Sequence, residues 1–150
     1  MNRFSDKVAQ VLDAKGTDVV SVDPDSTVFD AIRLMAERGI GAVLVLSGSR
    51  LVGILSERDY ARKIILEGRR SADTKVSQVM TAHVLSVPPT ASVEGCLKLM
   101  TVKRFRHLPV VEGAAVRGVV SIGDLVKWVV MAQGETIRQL EDYIAGRYPG

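Results

Sequence analysis

An α+β fold made of two copies of one unit is predicted by three observations. A heptapeptide, Gly53-Ile54-Leu55-Ser56-Glu57-Arg58-Asp59, returns 65 residues later as Gly118-Val119-Val120-Ser121-Ile122-Gly123-Asp124. Sliding the chain by that offset aligns Ser21 to Asp59 with Ser86 to Asp124 without a gap, with identities that include Pro24/Pro89, Val28/Val93, Leu34/Leu99, Met35/Met100, Val45/Val110 and both Ser/Asp pairs. Within each copy the apolar periodicity runs strand, helix, strand, strand, helix. A duplicated unit that cannot bury its apolar face alone packs against its neighbour, and two copies imply a closed pseudo-twofold pair rather than a solenoid.

Composition bounds the class. At 150 residues and 47% apolar the chain can bury a core as one globular module, and a single cysteine excludes an intramolecular disulfide. No apolar run approaches the ~20 residues that span a bilayer, so no membrane is expected. The charged start, Met1-Asn2-Arg3-Phe4-Ser5-Asp6, lacks the apolar stretch of a signal peptide, and a cytoplasmic protein is expected. A net charge of +3 is scattered among acidic residues with no aromatic stacking series, so nucleic acid is not expected as a partner.

In order along the chain, Val8, Val11 and Leu12 give a short amphipathic helix closing on Gly16. Val19 to Val22 reads as a strand. Thr27 caps a helix with Val28, Ala31, Ile32 and Met35 inward, ending at Gly39. Ala42 to Leu46 and Leu51 to Leu55 form a hairpin across Ser47-Gly48-Ser49-Arg50. Ser56 then starts a helix reaching about Gly68. After a short helical turn at Val76 to Met80, the second copy repeats the order: a strand at Leu85 to Val87, a helix capped by Ser92 with Val93, Cys96, Leu97 and Met100 inward, a hairpin of Leu108 to Val111 and Val116 to Val120, and a helix capped by Ser121. Pro109 places its strand at an edge or at a strand start. Thr136 to Ile144 reads as a C-terminal helix. The expected organisation is an N-terminal helix at 1–16, repeats at 17–68 and 81–130, a linker at 69–80 and a C-terminal helix at 131–150.

Each heptapeptide turns a strand into a helix, and the unpaired amides of a helix's first turn favour an anion such as phosphate. The same Ser-x-x-Asp pattern is also a variant of the capping box, in which hydroxyl and carboxylate satisfy the helix's own donors. Both readings stay open at this point.

Taken together, Pro24 and Pro89, Met35 and Met100, Arg106-His107-Leu108-Pro109-Val110-Val111, and the two copies of Gly-apolar-x-Ser-x-x-Asp resemble a tandem pair of CBS domains, the cystathionine beta-synthase type, often called a Bateman module. The resemblance covers roughly residues 17 to 130. It implies a stand-alone bacterial member that binds AMP, ADP, ATP, NAD or S-adenosylmethionine in clefts between the repeats and assembles as a homodimer. Asp59 and Asp124 would each accept from the two hydroxyls of a ribose, and Ser56 and Ser121 would donate to a phosphate. The adenine slot is implied to come from the opposite repeat: Val20, Ser21, Asp23 and Val43 for the Asp124 site, and Leu85, Ser86, Pro88 and Leu108 for the Asp59 site.

The two sites are expected to differ. Arg106 and His107 stand where the family places phosphate-binding side chains, while their counterparts are the uncharged Gly41 and Ala42. The first copy has Arg58 where the second has Gly123, so the Asp124 site is expected to take a phosphorylated ligand more tightly. No motif places a nucleophile beside a base, so no catalytic residue is expected, and two histidines and one cysteine offer no zinc site. Met35, Met100 and Cys96 read as core. The expectation is a regulatory nucleotide sensor read by an unidentified downstream protein; the alternatives are a structural interaction module and a nucleotide-processing enzyme.

Overall fold

A computed structural model describes residues 3–131. The expected helix at 136–144 lies outside them. The elements are α1 (Val8–Lys15), β1 (Ser21–Val22), α2 (Val28–Arg38), β2 (Ala42–Ser47), β3 (Arg50–Ser56), α3 (Glu57–Tyr60), α4 (Val76–Val79), α5 (Val93–Lys103), β4 (His107–Glu112), β5 (Ala115–Ser121) and α6 (Ile122–Met131). This mixed α and β architecture is the one the repeat predicts, with the order helix, strand, strand, helix met in both copies and the opening strand in the first alone.

The described residues fall into two compact units. One takes 18–85 and 113–116, and the other takes 3–17, 86–112 and 117–131. Each has its own apolar core. The core of the first copy gathers Val28, Ala31 and Met35 of α2, Val43 and Val45 of β2, Leu55, Ile64, Val76 and Val79. In the second copy Val93, Cys96 and Met100 of α5 meet Leu108, Val110, Val120, Leu125 and Val129. Full burial of a side chain of this size contributes about 1.5 to 3 kcal/mol.

Each core is completed by a helix that precedes the other copy in sequence. Val8, Val11 and Leu12 of α1 are buried in the second copy's core, and Val76 and Val79 of α4 in the first's. The attachments correspond bond for bond. Val8 N donates to Ala91 O at 2.7 Å and Val76 N to Ser26 O at 2.8 Å; Ala9 N donates to Pro89 O at 3.1 Å and Ser77 N to Pro24 O at 3.0 Å. Gln10 and Gln78 likewise accept from the backbone N–H of Lys7 and Lys75. The hexapeptides Lys7-Val8-Ala9-Gln10-Val11-Leu12 and Lys75-Val76-Ser77-Gln78-Val79-Met80 are thus a further repeat, offset by 68 residues instead of 65.

This packing explains the glycine that opens each heptapeptide. A Cβ at Gly118 would come within 2.8 Å of Leu12 Cδ2, and one at Gly53 would press on the Met80 side chain and lie 3.1 Å from the Thr81 carbonyl oxygen. The glycines make room for the arms.

The copies diverge at their first strand. β1 pairs in parallel with β2, and Leu44 N donates to Val20 O at 3.2 Å. The counterpart of Leu44 is Pro109, which has no N–H to give. The expected strand at Leu85 to Val87 accordingly shrinks to one bridge, Val87 to Val110. Pro109 is the third residue of β4 and does not start it; β4 pairs as a strand with β5 alone, so the edge expectation holds. The helix after Ser56 also departs from a regular run to Gly68: beyond Tyr60 it widens to i→i+5 bonding, with Leu66 N donating to Ala61 O at 3.1 Å. Helix α2 ends on Gly39 in the left-handed region at φ 64°, whereas α5 ends on Arg104 in the same conformation at φ 60°.

Candidate functional site

The strand-to-helix turn is built alike in both copies. Ser56 Oγ accepts from Asp59 N at 3.2 Å, and Asp59 Oδ2 accepts from Ser56 N at 3.0 Å. Ser121 Oγ accepts from Asp124 N at 3.0 Å, and Asp124 Oδ2 accepts from Ser121 N at 2.8 Å. Both heptapeptides therefore close capping boxes. The next amide is also taken: Glu57 N donates to Gly41 O at 3.0 Å and Ile122 N to Arg106 O at 2.9 Å. Three first-turn donors in each helix are thus satisfied by protein, so a phosphate would depend on side chains more than on these helix ends.

Each carboxylate also carries a lysine, and here the copies part. Lys63, one turn along from Asp59, reaches its Oδ1 at 3.2 Å and donates to Val79 O at 2.8 Å. Lys15, at the end of α1, lies 2.6 Å from Asp124 Oδ2 and donates to Val119 O at 2.9 Å. In the first copy the carbonyl equivalent to Val119 O is Ile54 O, which takes the Thr81 backbone N–H at 2.9 Å. The Lys15 ammonium fills that role in the second copy.

The carboxylates are consequently unequal. Asp59 Oδ2 holds the cap and the Ser56 hydroxyl, at 3.1 Å, while its Oδ1 holds Lys63. Asp124 gathers cap and lysine on Oδ2, and among the described residues its Oδ1 has no hydrogen-bond partner. The Asp124 side chain is also the more open, at 25% exposure against 14% for Asp59. Both sit on half-exposed turns where solutes have access.

The other expected site residues divide between the units. Val20 and Ser21 are half-buried and Asp23 is exposed in the first, with Ser56 half-buried and Arg58 exposed. In the second, Arg106 is exposed and His107 half-buried, and the bond from Ile122 N to Arg106 O fixes both beside the start of α6. Ser86 and Pro88 of this unit are exposed, while Leu85 belongs to the first unit and is half-buried. Val43 and Leu108 point into their own cores at 1% and 0% exposure, which leaves only their backbone for a ligand. Lys15 is the residue sequence reasoning missed; nothing in the chain signals a partner 109 positions away.

Other chemistry is sparse. Among the described residues no three His, Cys, Asp or Glu side chains converge as metal ligands. Burial pushes the Cys96 thiol above its ordinary value, which keeps it protonated and inert. A shallow groove of about 510 Å³ on the outer side of α5, lined by Phe4, Glu94, Leu97, Lys98, Thr101 and Val102, contains none of the expected site residues. No described helix is long and apolar enough to cross a membrane.

Comparison with known proteins follows this geometry. The family model of the CBS domain matches residues 11–66 and 76–131. The mitochondrial CBS domain-containing protein CBSX3 of Arabidopsis thaliana is 42% identical over 129 residues, which take in 83% of this chain and 63% of that protein. The chain thus spans less than two thirds of that relative. CBS domain-containing protein YhcV of Bacillus subtilis is 35% identical over 118 residues, 79% of this chain and 84% of that one. A solved structure of a protein with CBS domains from Burkholderia ambifaria MC40-6 superposes with a TM-score of 0.83 at 49% identity, covering 87% of this chain and 98% of the other.

Proposed function

The chain belongs to the CBS-domain family, and from that premise we propose a non-catalytic regulatory module that binds AMP, ADP, ATP or NAD and signals by a change of conformation or assembly. The observation that carries this reading is Asp124. Its carboxylate is fixed by the cap, is partly open, and keeps one oxygen without a partner among the described residues. A ribose diol is a matched donor pair for such a group, and hydrogen bonds to a charged acceptor contribute about 1.5 to 3 kcal/mol each. Arg106 and His107, at the head of β4 and held beside the start of α6 by the bond from Ile122 N to Arg106 O, supply a guanidinium and an imidazole for a phosphate. Val20, Ser21, Asp23, Val43, Leu85, Ser86, Pro88 and Leu108 enter this reading as adenine contacts through the family resemblance. A cytoplasmic homodimer read by a downstream protein completes the proposal.

A second reading has its own support: closed capping boxes and neutralising lysines are what a purely structural interaction module needs. Thermal unfolding with AMP, ATP, NAD and S-adenosylmethionine separates the two. A true ligand at 100 times its Kd adds about 2.7 kcal/mol. A midpoint that none of the four moves supports the structural module.

A further inference from the structure

We infer that Lys15 is a built-in competitor for the Asp124 site, so that ligand binding there releases the C-terminal end of helix α1. The inference rests on the nucleotide reading above and adds to it a residue and a route for the signal. Asp124 Oδ2 already accepts two donors, the Ser121 N–H at 2.8 Å and the Lys15 ammonium at 2.6 Å. A carboxylate oxygen offers about two lone-pair positions. A diol that spans both oxygens of Asp124 must therefore take the place of Lys15, because the cap belongs to the helix backbone.

The consequence falls on α1, which is tied to α6 at both ends. Asp6, just before α1, accepts from Trp128 Nε1 at 3.1 Å, and Arg3 lies 4.3 Å over the Trp128 ring. Lys15, the last residue of α1, holds the other end through Asp124 and Val119 O. Losing the second tie leaves the first intact, so the helix loosens from its C-terminal end while Val8 and Val11 remain in the core. Lys63 cannot do this in the first copy. It does reach the α4 arm through Val79 O, but the end of that arm is also held by the paired backbone bonds between Ile54 and Thr81, so displacing Lys63 leaves the arm fastened.

The test combines affinity with amide exchange, using AMP as the probe. Lys15→Met and Lys15→Gln remove the competitor at a side chain that is 37% exposed, and both should keep the fold. Each is expected to bind AMP roughly two- to five-fold more tightly, the scale of a partly exposed ion pair. In the unsubstituted protein, saturating AMP should speed exchange of the Gly16 amide, which donates to Leu12 O at 2.8 Å, and leave that of Gln10 unchanged. In both variants Gly16 should exchange fast with or without AMP. Unchanged or weaker AMP affinity in both variants overturns the inference, and so does a Gly16 amide indifferent to AMP. If AMP binding is lost in Asp124→Ala while either of these holds, the nucleotide reading survives without the Lys15 step. If AMP binds neither the unsubstituted protein nor the variants, both fall.

Discussion

The two copies share a motif and differ in what is fastened to it. In the first, Asp59 is neutralised from its own helix and the sheet carbonyl of Ile54 is satisfied by backbone; in the second, one lysine from a distant arm does both jobs. The first copy adds the parallel bond that Pro109 denies the second and ends its first helix on Gly39, where the second uses Arg104. Around the carboxylate, backbone bonds hold the arm on one side, and a lysine side chain replaces them on the other. The difference teaches that duplication preserved the frame while the polar fittings around each carboxylate drifted apart.

The sharpest way to break this comparison is at the opening glycines. Gly53→Ala meets both the Met80 side chain and the Thr81 backbone carbonyl, whereas Gly118→Ala meets only the end of the Leu12 side chain and no backbone atom. Overpacking costs about 1 to 3 kcal/mol, and Gly53→Ala should lie near the top of that range and Gly118→Ala near the bottom. Denaturant melts of both would show it, and equal losses would remove the distinction.

Next in size is the cationic asymmetry. Arg106→Ala should weaken AMP binding about ten-fold, close to 1.4 kcal/mol, with little change in stability because the side chain is exposed. Calorimetric titration measures the first and a melt the second. Smaller still is the left-handed residue that ends each first helix. That conformation disfavours a side chain by about 1 kcal/mol, so Gly39→Ala should destabilise by about that much and Arg104→Gly should stabilise by up to the same amount.

The smallest effect concerns Cys96, whose counterpart is Ala31. Burial raises the thiol's folded-state value, so above the free thiol's range the unfolded chain loses its proton first and the native state loses stability as pH rises. Cys96→Ala should lower stability by a pH-independent amount for the lost buried sulfur and, in addition, remove that part of the alkaline decline. Melts of both proteins from pH 7 to pH 10 would reveal it as a difference that is constant near neutrality and narrows at the alkaline end.

Much of this was legible in the chain because it is local. Thr27 and Ser92 cap α2 and α5 through their side-chain oxygens as spacing requires, and both hairpins fall where the turn residues put them. The mixed fold with two repeats followed from the 65-residue offset. What escaped was non-local. A single gapless offset cannot reveal arms spaced at 68 residues, although Lys7 to Leu12 and Lys75 to Met80 read almost alike. The packing that assigns α1 to the second copy's core has no local signature, and neither does the reach of Lys15. At the site, Ser-x-x-Asp allowed a cap or an anion cradle, and the amides prove to be largely committed to the cap. That shifts the expected phosphate contacts onto Arg106 and His107.

The most direct measurement is calorimetric titration of AMP into the unsubstituted protein, Asp59→Ala and Asp124→Ala. The account predicts that Asp124→Ala loses at least ten-fold in affinity, the worth of one charge-assisted hydrogen bond, while Asp59→Ala loses clearly less. Equal losses from the two, or affinity untouched by either, would contradict it.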